Sequence, residues 1–357
     1  MTGNASGGAP TGASTGASGG ASTGGARLRD LGHRIGWLEP GPHNAITDVA
    51  GVLVGHTTLV DDDKGVYTGV TAVVPAALDH ARTLPAGLHV ANGYGKLVGA
   101  TQLMELGELE TPILLTATLS TFRAADVLVT RHLDRAPGRV TTVNPVVGEV
   151  NDYWLSDAEP RPITAEHVHR ALDGAHGGPV AMGNAGGGTG ACALGFKGGI
   201  GSSSRRVELR DREVTVGALV QANMDGNLRL PDRVVTPESL GVERAGPPTA
   251  YGSCVVVVAL DLACESRQLA RIAARGAIAL GRAGAAFSHG SGDYGLAFST
   301  VPDQAPRKLD MVDLDRVFVA VMEAVEEAVL DGLLAATTIS TPRGRRATAV
   351  PHEAVAV

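Results

Sequence analysis

Thr249-Ala-Tyr-Gly-Ser-Cys-Val-Val-Val-Val-Ala259 is the stretch on which the reading of the whole chain turns. Val255 to Val258 are four consecutive β-branched residues, the composition of a strand buried on both faces. Gly252 and Ser253 stand directly in front of it, and a Pro247-Pro248 pair interrupts the chain before them. A serine that opens a central strand after a glycine can present its hydroxyl to the carbonyl just upstream. Attack of Ser253 on the Gly252 carbonyl, an N-to-O acyl shift and hydrolysis of the ester would cut the chain and leave Ser253 as a new N-terminus. A free α-amine titrates at roughly 7.7–8.0, so near neutrality it can serve as the base for the hydroxyl beside it. The same residues also suit a plain turn into a strand, so the other segments must decide.

The bulk of the sequence limits the choices. Its 357 residues suffice for one large or two ordinary domains with a substantial core. Hydrophobic residues make up 44% and charged ones 19%, a soluble globular balance, and the net charge of −7 comes without a basic run. Nucleic acid and anionic membrane are therefore poor partners, and no apolar run is long enough for a membrane span. Cys192, Cys254 and Cys264 fit neither a disulfide framework nor zinc-ligand spacing, and read as small buried residues of a reducing, cytoplasmic protein. Strand alternation points Cys254 away from the Ser253 side. His167, His169 and His176 lack the ligand spacing of a metal site, and no metal is expected. Residues 1–26, nearly all Gly, Ala, Ser and Thr, read as a flexible tail rather than a signal peptide. One domain is expected over 27–340, followed by a polar, flexible C-terminal tail over 341–357.

Alternating strand and helix patterns predict a layered α/β protein. Strands are expected within His43–His56, Thr68–Pro75, Thr111–Thr118 and Glu213–Asn223, and from Val255 onward. Helices are expected over Thr121–His132, Thr164–Asp173, Glu265–Arg282 and Asp313–Leu334, the last with Val317, Val321, Val325 and Ala328 on its apolar face. Asn44 and Asp48 suit turns, and His56 reads as a structural histidine. Residues 227–250, rich in Pro, Arg and Glu, read as a linker to the proposed cut. The glycine-dense run Val180–Ser204 lacks the Gly-Lys-Ser/Thr of a phosphate loop and reads as packing scaffold.

Tyr251-Gly-Ser-Cys-Val-Val-Val-Val, with His43–His56, Val90–Gln102, Val143–Asp157, Val180–Ser204, Glu213–Gly226 and Phe287–Thr300 in the same order, resembles the L-aminopeptidase D-Ala-esterase/amidase and β-peptidyl aminopeptidase family. The resemblance runs from about Leu28 to Ala336. It implies a four-layer αββα sandwich of the self-cleaving N-terminal-nucleophile type, cut into 1–252 and 253–357 and assembled as a tetramer of cleaved pairs. It also implies a small peptide or amino-acid amide substrate and no metal or organic cofactor. By the same resemblance Ser253 is the nucleophile, Asn223, closing Val-Gln-Ala-Asn, is the oxyanion-hole asparagine, and Ser291 with Asp293 is the second serine and its acid. Asp293 stands where the best-known β-peptide-cleaving members have glutamate, one methylene longer. Glu149 falls at a position whose carboxylate suits a substrate ammonium. The family's usual tyrosine falls on Trp154, with Tyr153 beside it, so a phenol contact would have to come from Tyr153. Two rivals stand: an acyltransferase of the ornithine acetyltransferase type, which has threonine at the cut, and an inactive relative on the same scaffold.

Overall fold

The runs of β-branched residues become two stacked sheets, and the amphipathic segments cover their outer faces. The computed structural model describes residues 25–79, 81–247, 252–301 and 308–357. The expected N-terminal tail, as far as residue 24, lies outside these, as do Pro248 to Tyr251. Val52–Asp61 (β1) and Val66–Pro75 (β2) pair antiparallel and are followed by Leu84–Gly93 (β3), the short helix Ala100–Glu105 (α1), Glu108–Leu109 (β4) and Ile113–Ala117 (β5). Helix Thr121–Arg135 (α2), strand Val146–Val150 (β6) and helix Ala165–Asp173 (α3) come next. Then come the hairpin of Cys192–Ala193 (β7) and Phe196–Lys197 (β8), the long strands Gly199–Glu208 (β9) and Glu213–Asn223 (β10), and a small hairpin of Leu228–Arg229 (β11) with Val234–Val235 (β12). Ser253–Leu260 (β13), helix Ser266–Ala283 (α4), Gly292–Ser299 (β14), helix Met311–Leu334 (α5) and the hairpin Ile339–Ser340 (β15) with Arg346–Ala347 (β16) complete the chain.

One sheet has the order β1-β2-β5-β6 and the other β4-β3-β14-β13-β10-β9. β13 and β14 are parallel, and α4 supplies the crossover that parallel neighbours require. The side chains of β13 sort the layers by alternation. Val255, Val257 and Ala259 pack with Ile113, Leu115 and Val146 between the sheets. Cys254, Val256, Val258 and Leu260 pack on the opposite face with residues of α4 and α5 such as Ile272, Leu280, Val317 and Val325. A third core joins Val70, Leu114 and Val147 to Ala124, Leu128, Val168 and Leu172 of α2 and α3. The order is therefore helix, sheet, sheet, helix, the αββα sandwich that the resemblance implied.

Helix α5 departs from the simple amphipathic expectation, because it is buried on nearly every side. It lies so close to β9 that a Cβ on Gly201 would come within 1.7 Å of the Ala328 carbonyl oxygen. Glu323, Glu327 and Asp331, four residues apart along one stripe, are also buried. Arg205 of β9, fully buried, donates to Glu323 at 3.1 Å and to Glu327 at 2.6 Å. Arg29 closes on Glu327 at 2.7 Å, and Arg27 on Asp331 at 2.8 Å.

Two expectations are corrected. Residues 341–357 do not fray: Ala347, Val350 and Val355 are buried, the Val357 N–H donates to Leu31 O at 3.2 Å, and Thr348 O accepts the Lys197 N–H at 2.8 Å. A few apolar side chains and backbone hydrogen bonds suffice to hold a segment that looks polar overall. Residues 227–247, part of the expected linker, contain the β11–β12 hairpin, and Arg244 ties this segment back by donating to Gly226 O and the Glu238 carboxylate.

Candidate active site

Three strand ends converge at one end of the six-stranded sheet. Ser253 opens β13 and is paired in register with Asn223, the last residue of β10, on one side and with Gly292, the first residue of β14, on the other. Ser253, Asn223, Ser291 and Asp293 are all buried. A Cβ on Gly252 would meet the Met224 Cα at 2.9 Å, so the residue before the serine must be small for β10 and β13 to close on each other. The Gly252 carbonyl, the one at the proposed cut, accepts the Gly292 N–H at 3.3 Å.

On the β14 side, Ser291 Oγ donates to Asp293 Oδ1 at 2.9 Å, so the shorter acid still reaches its serine. A β-bulge against β3 falls between Asp293 and Tyr294, the kind of irregularity that re-aims side chains next to functional sites. Asp293 Oδ2 is buried without a hydrogen-bond partner. Burial pushes the Asp293 carboxyl up to about 6, with the Ser291 hydrogen bond opposing. On the β10 side, the Asn223 amide is held at both atoms: Oδ1 accepts the Cys192 N–H at 2.9 Å and Nδ2 donates to Asn151 O at 3.2 Å. An amide nitrogen has two hydrogens, so one remains for another acceptor.

Glu149 reaches this end from the facing sheet. A Cβ on Gly148 would touch the Val255 side chain at 3.1 Å, which sets β6 directly over β13. Glu149 Oε1 accepts the Lys96 N–H at 2.9 Å, with the Lys96 ammonium 3.7 Å away, while Oε2 is buried and unpartnered. Burial raises its pKa, with Lys96 pulling the other way. The space at Gly95 is bounded by Gly292, the Tyr294 ring and Glu149, which joins this carboxylate to the start of β14. Tyr294 is a phenol that sequence reasoning passed over, although it stands one residue beyond Asp293.

Tyr153 and Trp154 lie in the turn after β6. Arg345 donates to both of their carbonyls at 2.9 Å and stacks 4.9 Å from the Trp154 ring. Trp154 packs beside Tyr67, Leu155, Ile339 and Ala347, so its ring has a structural cluster of its own. The turn meets the site through Asn151. His56 sits on β1, at the opposite sheet edge from β6, with Nδ1 2.9 Å from Thr71 Oγ. A cavity of about 680 Å³ opens there, lined by Val54, His56, His176, Val180 and Met182 among others, and shares no lining residue with the Ser253 site. The other histidines have separate tasks: His167 accepts the Thr164 N–H at the start of α3, and His169 faces Arg131.

Peptidase family S58 matches residues 44–347. The chain belongs to that family. It is a hydrolase, and its relatives are aminopeptidases. It is 38% identical to the β-peptidyl aminopeptidase BapA of Sphingosinicella xenopeptidilytica, an alignment covering 93% of this chain and 90% of that one. Among solved structures it is similar to a β-aminopeptidase from a Burkholderia species, at TM-score 0.86 and 38% identity over 92% of this chain and 97% of that chain. It is also similar to the L-aminopeptidase D-Ala-esterase/amidase of Ochrobactrum anthropi, at TM-score 0.82 and 35% identity over the same shares of the two chains. That protein is described as a prototype of the serine aminopeptidases and a variant of the Ntn hydrolase fold.

Proposed function

We propose that this S58 hydrolase cuts itself between Gly252 and Ser253 and then uses the freed serine to release N-terminal residues from short peptides, amino-acid amides and esters, β-amino-acid residues included. The observation that carries the reading is the convergence of Ser253 with Asn223 on one flank and the Ser291–Asp293 pair on the other.

In the self-cleavage step Ser253 Oγ bonds to the Gly252 carbonyl carbon and the C–N bond breaks. The hydroxyl proton passes to the departing nitrogen, and water then hydrolyses the ester. The Gly292 N–H, already on the Gly252 oxygen, supports the charge that develops there. In turnover the Ser253 amine accepts the Oγ proton as Oγ attacks the substrate carbonyl. The free hydrogen of Asn223 Nδ2 stabilises the oxyanion, and the departing amine takes the proton. Water then attacks the acyl-enzyme and returns the serine. Ser291, hydrogen-bonded to Asp293, steadies the nucleophile, and Glu149 receives the substrate ammonium. The three free cysteines suit a reducing, cytoplasmic compartment. Exposed Trp37, Met104, Leu106 and Phe122 offer apolar surface for a tetramer of cleaved pairs.

A denaturing gel tests the first step: purified wild type gives two bands and Ser253→Ala one. Two bands from the alanine variant would remove Ser253 from the role. A self-cleaved acyltransferase is the second reading, and acyl transfer to an added amine in preference to water would reveal it.

A further inference from the structure

The amide of Asn223 does not hold itself in place. Its two anchors are backbone groups, the Cys192 N–H and the Asn151 carbonyl, on segments far apart in sequence. Each anchor adjoins a buried charge. Asn151 is followed by Asp152, which is 2% exposed and whose Oδ1 has no hydrogen-bond partner. Cys192 is the strand partner of Lys197 in the β7–β8 hairpin. Lys197 is fully buried, and its ammonium donates to Gly198 O at 2.7 Å and Gly188 O at 3.1 Å. Those two carbonyls bracket the loop that delivers the Cys192 N–H, and the Gly198 N–H closes it by donating to Ala191 O at 3.0 Å. The hairpin turns through Leu194 and Gly195, both at positive φ, and Leu194 is strained there because it carries a side chain. A Cβ on Gly190 would sit 2.9 Å from that of Asp152, so the loop and the turn after β6 are packed against each other.

A buried lysine is costly unless its hydrogens are satisfied and its charge is useful. Burial presses Lys197 down to about 8 and Asp152 up to about 7, each partly offset by the other's charge. Nothing in the hydrolytic steps calls for either group.

We infer that Lys197, with Asp152 across from it, is a positioning pair that fixes the two backbone segments holding the Asn223 amide, and so aims the oxyanion donor. The inference rests on the proposed role of Asn223. It deepens that role by assigning what keeps the amide in its catalytic orientation. A donor of this kind acts when charge develops on the carbonyl, so loosening it lowers kcat and leaves KM nearly unchanged.

The test is steady-state turnover of an amino-acid p-nitroanilide by the full-length protein, with rates normalised to the cleaved fraction on a denaturing gel. Lys197→Met is expected to lose about tenfold in kcat, less than the roughly 10²–10³ lost when an oxyanion donor is removed outright, with KM within about twofold. Hydrogen exchange should rise in the segment around Cys192 while the β13 segment stays protected. Asp152→Asn keeps the side-chain shape and serves where Lys197→Met does not fold; it is expected to lower kcat in the same sense. Unchanged kcat in a folded variant, or a loss carried by KM, would overturn the inference. A wild type that turns over the substrate as one uncut chain would break the proposed function instead, so the two failures are distinguishable.

Discussion

Two groups of buried charge in this fold are built on opposite rules. Along α5, Glu323, Glu327 and Asp331 each meet an arginine, from Arg205, Arg29 or Arg27, and Asn44 adds a hydrogen bond to Glu327 at 2.6 Å. Burial would raise the Glu327 carboxyl, yet the Arg29 hydrogen bond and the Arg205 charge outweigh it and hold the group below its usual range. At Asp331 burial wins over the Arg27 charge and pushes the carboxyl up to about 6, so the two clusters differ in their partners and not in the direction of every shift. At the Ser253 end, Glu149, Asp152 and Asp293 each keep one buried oxygen without a partner, and burial pushes all three upward. A closed cluster has satisfied its charges internally and contributes to the structure. An open one is costly to fold and has capacity left for a substrate or a moving proton. The closed cluster would also hold the proposed pieces together, since its arginines precede the Gly252–Ser253 bond and its acids follow it.

Breaking the closed cluster should have the largest effect. Arg205→Met takes the fully buried guanidinium from two buried carboxylates, leaving Glu327 to Arg29 and Asn44 and Glu323 to the Trp37 and Leu38 N–H groups. It is expected to cost about 3 kcal/mol in urea unfolding, the low end for breaking a buried pair. The loss should shrink in acid, where those carboxylates protonate. Wild type has the corresponding linkage: because the folded Glu327 pKa is depressed, its contribution is present above the unfolded value and fades as pH falls through the folded one. A destabilisation no larger than that of a surface substitution would show that the clusters are not built on different rules.

Opening the other cluster further should cost function, not stability. Glu149→Gln removes the proposed ammonium acceptor and is expected to raise KM by roughly ten- to a hundredfold, the worth of a hydrogen bond to a charged group. Its thermal midpoint should hold or rise at neutral pH. The sign follows from the raised Glu149 pKa: such a group favours the fold below its unfolded pKa and loses that contribution as pH rises through the folded one. A fall in stability with KM unchanged would assign Glu149 to structure. The smallest effect is a pH limb. With Asp293 pushed up to about 6, kcat should rise as pH passes that value, and Asp293→Asn should flatten the limb at about a tenth of the rate. A limb that survives in the variant would belong to another group.

Much of this was legible before any coordinates, for local reasons. Four consecutive valines behind Gly-Ser identify a central strand, and strand alternation separates Cys254 from Val255 correctly between the two cores. Asn223 and Ser291 are named through the family resemblance, on the runs Val-Gln-Ala-Asn and Ser-Gly-Asp and not on a local pattern alone, and the structure brings both to the Ser253 end of the sheet. What escaped depends on distant partners. The α5 acids find arginines more than a hundred residues away, so no local pattern predicts that they are buried. Lys197, between Phe196 and a glycine pair, carried a faint signal, a lone charge inside a glycine-dense apolar run, but its ligands are backbone carbonyls that leave no trace in composition. The segment after Thr341 was misjudged because a few buried apolar residues are diluted by polar neighbours.

The account depends on the chain ending and beginning again at Ser253. Intact mass and N-terminal sequencing of the purified, active protein give the most direct answer. Two polypeptides, the second starting Ser-Cys-Val-Val, are the expected result; full activity from one unbroken chain through residue 253 would contradict it.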